Sequence, residues 1–309
     1  MENKFASFGS KVFNEEIMKE KLPSPIFHKW KEATNKQDAL DRPTADAIAH
    51  AMKEWALSQG CTHYTHWFQP LTGLTAEKHE SFIDIRDGQT ILKFSGKNLI
   101  KGEPDASSFP SGGLRATFEA RGYTYWDCTS PAFIRNNILY VPTLFVSFNG
   151  EALDGKSPLL KSIDAVSKHA TRIVNMFGDK DCKGVVPSLG LEQEYFLVDR
   201  DLYNRRSDLF LTNHALLVSL PPKGQEFCPH YLGSIPSRVA AFMQDVNLQL
   251  WELGIYAKTE HNEVAPSQFE LASIYMDANL AIDQNHIIMD VLQKTALKHQ
   301  MVCLLHEKP

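Results

Sequence analysis

The stretch GLEQEYFLVD, Gly190 to Asp199, constrains the fold of this chain more than any other feature. Leu191, Tyr195, Leu197 and Val198 make it a strand rich in apolar and aromatic residues, yet Glu192 and Glu194 lie inside it. Strand side chains alternate faces, so both carboxylates point to one side with Cα atoms roughly 6.5–7 Å apart. Alone, such a pair fits a half-exposed strand with a solvated acidic face. A second acidic pair lies in HNEVAPSQFELASIY, where Glu263 and Glu270 are seven residues apart and would face opposite sides of one continuous strand. Pro266 forbids a continuous central strand. With Pro-Ser-Gln as a turn or bulge, Glu263 leaves one strand, Glu270 enters the next, and both can face the cavity of the first pair.

Four convergent carboxylates raise one another's pKa and cannot all ionise without cations. A divalent metal resolves the conflict. Oxygen ligands favour Mg²⁺ or Mn²⁺, and the Cys or His spacings of structural zinc are absent. Two metals in one carboxylate site point to phosphate chemistry. The sequence has no G-x-x-x-x-G-K-[ST] loop, so a nucleotide would be held by other means.

Around these motifs the texture is α+β. TADAIAHAMKEWALSQG places Ile48, Met52, Trp55 and Leu57 along a helix that Gly60 can end, within a helical arm over residues 1–60. Short runs such as HYTHWFQPLTG, TILKFSGK and LYVPTLFVSF, punctuated by Pro and Gly, predict a small β-rich domain over 61–150, with PSGGLRATFEARGY as a loop in it. Beyond a linker, Ser157-Pro158 reads as an N-cap and first helical residue, and Leu159, Leu160, Ile163, Val166, Ala170, Ile173 and Val174 recur at helical spacing. Further helices are predicted before Gly254 and from Asp277 to His299, and MVCLLHEKP begins as a strand.

At 309 residues the chain is long enough for two domains. A net charge of −5 gives no basic footprint for nucleic acid or anionic membrane. Five cysteines, no C-x-x-C pair and no secretory leader at MENKFASFGS suit a reduced, cytoplasmic setting. No apolar run approaches the roughly 20 residues of a membrane helix.

The E-x-E of Gly190–Asp199, followed by HNEVAPSQFEL, resembles glutamine synthetase; DASSFPSGGLRATFEARGYTYWD and the N-terminal arm resemble its type III branch. The resemblance covers the whole chain. It implies a β-grasp-like domain over 61–150, then over 151–309 the N-terminal part of a catalytic antiparallel-sheet domain, with active sites between subunits of a homo-oligomeric ring, a dodecamer. The implied reaction joins ammonia to L-glutamate with ATP, through γ-glutamyl phosphate. By position, Glu194, Glu263 and Glu270 resemble ligands of the metal beside glutamate and ammonia, and Glu192 a ligand of the metal bridging the ATP phosphates. Asp105 in EPDASSF matches the D-G-S-S aspartate that takes a proton from ammonium, with Ala106 in place of Gly. Tyr275 stands where relatives place an aromatic against adenine, and His261 where a side chain can contact the intermediate.

In the family a Gly-rich N-G-S-G-x-H segment and later arginines follow the HEKP strand. The expectation is therefore an N-terminal portion, inactive alone. Two other readings stand beside it: a different carboxylate–amine ligase on the same scaffold, such as a glutamate–cysteine ligase relative, and a non-catalytic subunit or fragment that assembles with complete chains.

Overall fold

The computed structural model describes residues 5–36, 40–69, 75–104, 121–212, 215–216 and 229–305. It divides the chain into two compact units: Lys11–Pro187, and Ser188–Pro309 together with Met1–Ser10.

The Lys11–Pro187 unit opens with helices α1 (Glu15–Lys21), α2 (Ser24–Lys36) and α3 (Arg42–Ser58). In α3, Ile48, Met52 and Trp55 recur every three to four residues and are buried. Gly60, at φ 83°, lets the chain turn away. Strands β1 (His63–Phe68), β2 (Ala76–Ser81), β3 (Ile83–Arg86) and β4 (Gln89–Leu92), helix α4 (Gly96–Ile100), and strands β5 (Lys101–Gly102), β6 (Tyr123–Trp126), β7 (Phe133–Arg135) and β8 (Ile138–Val146) follow. They form a sheet of order β2-β1-β8-β6-β5 with β7 also on β8, and a β3–β4 hairpin. β1 and β8 run parallel at its centre. Helices and sheet share one core, in which Phe13, Met18, Met52 and Trp55 meet Tyr64, Phe82, Leu139 and Val141.

Asp41 caps α3, its Oδ1 accepting from Thr44 N at 2.8 Å. Hydrogen bonds from Thr44, and then from Lys29, hold its carboxyl down at about 2. A depressed pKa contributes stability that is fully present above the ordinary value of 3.8 and is lost as pH falls through about 2. Asn keeps the capping oxygen and cannot titrate. Asp41→Asn is therefore expected to flatten the melting temperature of this unit between pH 4 and pH 2; identical pH profiles for the two proteins would rule the cap out as the source.

Helix α5 (Lys156–Met176) begins before the predicted Ser157 cap. The first turn is anchored by Asp154, which is fully buried and accepts from Ser157 N at 3.1 Å and Phe145 N at 3.0 Å. Lys156 turns inward, 2.7 Å from buried Asp127, which draws the helix start forward. Beyond that turn its apolar stripe is only partly covered within this unit, with Val166 50% and Ile173 54% exposed.

The second unit holds β9 (Ser188–Leu189), β10 (Glu192–Asp199), α6 (Arg200–Asn204), α7 (Ser207–Thr212), α8 (Ser237–Glu252), β11 (Ala257–Asn262), β12 (Gln268–Ser273), β13 (Met276–Asp277), α9 (Ala278–Lys298) and β14 (Met301–Leu304). Its main sheet is antiparallel, in the order β11-β12-β10-β14. Tyr195, Leu197, Phe269, Leu271 and Cys303 line one buried face. Helices α8 and α9 bury Phe242, Val246, Leu250, Ile288, Val291 and Leu292 in the same unit, and the Tyr195 and Phe242 rings lie 6.1 Å apart. The first residues of the chain belong here: Gly9 N donates to Trp251 O at 2.8 Å, and Phe5 packs on Trp251 with ring centroids 4.8 Å apart. Among the described residues no helix is long and apolar enough to cross a membrane.

Candidate active site

The register of the second sheet decides what the acidic residues can do. Glu194 on β10 lies directly opposite Glu270 on β12, and Glu270 lies opposite His261 on β11. Directly opposed residues of antiparallel strands share a face. His261, Glu270 and Glu194 therefore form a row across three strands, on the face away from Tyr195 and Phe269. Glu192, two residues before Glu194, is on the same face and pairs with Ala272, whose methyl group leaves room beside it.

Glu263 follows the end of β11. Its N–H donates to Gln268 O at 2.8 Å, closing the hairpin loop that contains Pro266, and Ser267 takes a left-handed backbone at φ 61°. The chain reverses there, and the Glu263 carboxylate comes back toward His261. The candidate ligand atoms of His261, Glu263 and Glu270 all lie within 4.8 Å of one another. His261 Nε2 is 3.1 Å from Glu270 Oε1, and Nδ1 is 2.9 Å from Asn262 O and 3.5 Å from Glu263 Oε1.

Glu270 is 8% exposed. Burial pushes its carboxyl up, His261 opposes the shift, and the charges of Glu192 and Glu263 push it up further. Glu192 and Glu263 thus stand close enough for their charges to act on Glu270. Glu194 accepts from Gln268 Nε2 at 2.7 Å, which orients its carboxylate along the row. Two ligands of one small divalent ion stand at most about 4.2 Å apart, given bond lengths near 2.1 Å. His261, Glu263 and Glu270 thus need to close by only a fraction of an ångström, and their two carboxylates and one imidazole fit a divalent cation; Glu192 and Glu194 stand on the same face outside that spacing.

Residues outside the sequence motifs complete the setting. The Tyr231 ring lies 4.0 Å, centroid to centroid, from His261, and Asn262 Nδ2 donates to Gly233 O. Tyr231 sits 30 positions before His261 in sequence, and no periodicity links the two. Gln268 was legible only as part of the turn. Tyr275 is 71% exposed, and among the described residues it makes no hydrogen bond or ring contact to the row. Its backbone passes so close to Gly190 that a Cβ there would come within 3.2 Å of Tyr275 Cβ. Asp105 and the PSGGLRATFEARGY segment up to residue 120 lie outside the described residues.

A family profile described as glutamine synthetase type III N terminal matches residues 4–162, and one described as glutamine synthetase, catalytic domain, matches residues 168–309. The chain is 53% identical over 303 residues to a glutamine synthetase of Bacteroides fragilis, a match covering 98% of this chain and 41% of that one. It is 50% identical over 308 residues to the type-3 glutamine synthetase of Dictyostelium discoideum, covering 98% of this chain and 42% of that one. The chain thus spans about two-fifths of the length of these curated relatives. Among solved structures it is similar to a Plasmodium falciparum glutamine synthetase, with TM-score 0.56, 15% identity, and 84% of this chain and 50% of that chain covered. A GmaS/ADP complex matches with TM-score 0.52 and 14% identity, covering 82% of this chain and 50% of that chain. These two likenesses concern the fold, and they bear out the α+β reading with its antiparallel sheet. With both halves matched by its profiles and half of all positions identical to its curated members, the chain belongs to the glutamine synthetase family, in the type III branch.

Proposed function

We propose that this chain takes part in the ATP-dependent joining of ammonia to L-glutamate, giving L-glutamine through γ-glutamyl phosphate. The observation that carries the reading is the row His261–Glu270–Glu194 with Glu192 and Glu263 beside it, an acidic cluster around the buried Glu270 whose charges need cations. In this reading Glu194, Glu263 and Glu270 hold one Mg²⁺ or Mn²⁺ near glutamate and ammonia, and Glu192 contributes to a second near the ATP phosphates. When bound, the cations shield two anions as they are brought together and make the phosphoryl group a better electrophile.

His261 presents its Nε2 edge to the same face and contacts the intermediate. Tyr275, exposed beside Gly190, is assigned to the adenine, and the similar fold of the GmaS/ADP complex supports a nucleotide site on such a scaffold. Asp105 accepts the proton that ammonium must lose before attack. The working form is a homo-oligomeric ring, a dodecamer, in which 1–60 is a helical arm, 61–150 the β-grasp-like domain and 151–309 the start of the catalytic domain. A reducing cytoplasmic setting agrees with Cys61, Cys128, Cys182 and Cys303 all being free thiols.

Two measurements test the proposal. Mn²⁺ is expected to bind the 309-residue chain and raise its melting temperature, and the protein assembled from full-length chains is expected to form glutamine from L-glutamate, ammonia and ATP. Failure of full-length protein to form glutamine, together with silent Mn²⁺ titrations, would sink it. In the same assembly Asp105→Asn is expected to preserve ATP and glutamate binding while lowering synthesis by about 10²–10⁴-fold, because the amide cannot take a proton. The loss should shrink as pH rises and free ammonia becomes abundant. A deficit that stays flat with pH would reduce Asp105 to a loop-shaping role.

A further inference from the structure

We propose that the Lys11–Pro187 unit carries a binding site for a small polyanion, in a cavity of about 490 Å³ walled by β1, β2, α4 and β5. Five cationic side chains, Arg42, Lys78, Lys93, Lys97 and Lys101, line it against two carboxylates, Glu80 and Glu103. The whole chain carries −5, so this local surplus runs against the overall charge.

The nearby acids are already engaged. Glu80 accepts from Tyr64 OH at 2.6 Å and pairs with Lys78 at 2.9 Å. Asp84 pairs with Lys93 at 2.6 Å, and Glu103 with Arg121 at 3.3 Å. Two cations, Lys97 and Lys101, are left without a carboxylate partner among the described residues, and a third, Arg42, has only a long pair, 3.8 Å from Asp46. Lys101 Nζ sits 4.2 Å over the Tyr123 ring. Cations gathered around a concavity without counter-charges raise its potential and attract anions.

The wall behind them is built rather than incidental. His66 is 7% exposed and its Nε2 lies 2.6 Å from Asn98 O, which fixes the ring against α4. Gly102 N donates to Thr124 Oγ1 at 3.1 Å. Any Cβ at Gly102 would come within 2.4 Å of that oxygen and 3.1 Å of His66 Cε1, so only glycine lets β5 close this wall. The volume is that of a small-molecule site, in the general range of about 300–1,000 Å³. A duplex nucleic acid needs an open basic surface instead. The chemistry selected is a compact ligand with two or more anionic groups, either phosphate or carboxylate.

The site shares no residue with the acidic cluster of the other unit, and the test keeps them apart by working in EDTA without divalent metal. The 309-residue chain is titrated calorimetrically with inorganic pyrophosphate and with citrate. Saturable binding of at least one is expected, weakening as salt rises. Tighter pyrophosphate assigns a phosphate ligand, and tighter citrate a polycarboxylate. Lys97→Gln and Lys101→Gln are each expected to weaken binding about tenfold, the size of one charge-assisted hydrogen bond, whereas Lys161→Gln, on exposed α5, should not. Because the Lys101 change could disturb β5, amine acetylation of the unaltered chain gives a second readout, in which the bound ion should protect Lys97 and Lys101 and leave Lys161 reactive. No saturable binding of either ion, or binding that a chain combining Lys97→Gln and Lys101→Gln retains in full, would overturn the proposal.

Discussion

Replacing Glu270 with alanine is expected to lower Mn²⁺ affinity, and glutamine formation in the assembled enzyme, by at least about 100-fold. Glu270 is the most buried of the acidic cluster and stands at its centre, opposite Glu194 on one side and His261 on the other. Removing it leaves Glu192, Glu194 and Glu263 without the oxygen that joins them, so the remaining donors cannot close around one ion. The same position should respond in the opposite sense when metal is absent. Glu192 and Glu263 both act on Glu270 as repelling charges, so Glu270→Gln, which keeps the shape and removes the charge, is expected to raise the metal-free melting temperature. It should also abolish the further rise that Mn²⁺ produces in the unaltered chain. A surface change such as Glu16→Ala should do neither. Unaltered Mn²⁺ affinity in Glu270→Ala would remove the cluster from the chemistry.

The largest stability effect is expected in the other unit. Lys156 and Asp127 form an ion pair at 2.7 Å, with side chains 1% and 4% exposed. Lys156→Met removes the buried ammonium group that faces the Asp127 carboxylate at 2.7 Å, at a cost of about 3–5 kcal/mol. Asp127 keeps the hydrogen bonds from Thr129 N at 2.9 Å and Thr129 Oγ1 at 2.5 Å, which carry no charge. Asp127→Asn combined with Lys156→Met removes both charges and is expected to recover more than half of the loss. Hydrogen exchange of the β8 and α3 amides under native conditions reports on this unit separately from the other. Similar exchange in the single and double variants would show that charge burial is not the cause.

Much of the fold was legible because it depends on local periodicity. Ile48, Met52 and Trp55, placed along a helix by their spacing, are among the buried positions of α3. α9, at Ala278–Lys298 with Asp277 as its N-cap, falls within one residue of the predicted span at each end. The same reasoning failed at the start of α5. There a buried ion pair and the Asp154 carboxylate, both arising from packing, set the first residue in place of the Ser157 signal.

For the acidic residues the division is equally physical. Alternation along a strand is a property of the backbone, so Glu192 and Glu194 had to share a face, and Pro266 had to interrupt the run between Glu263 and Glu270. Those facts, with the ordered motifs, sufficed to indicate the family. Which residue stands opposite which is a matter of register between strands some 70 positions apart, and no local preference sets it. Only the folded sheet put Glu194 against Glu270, whereas the hairpin turn between β11 and β12 sets Glu270 against His261. Only packing brought Tyr231 onto His261 and joined the first ten residues to the unit of Ser188–Pro309. Such contacts form because burying apolar surface and pairing backbone groups is favourable over the whole domain, and that sum is visible in no single stretch of sequence.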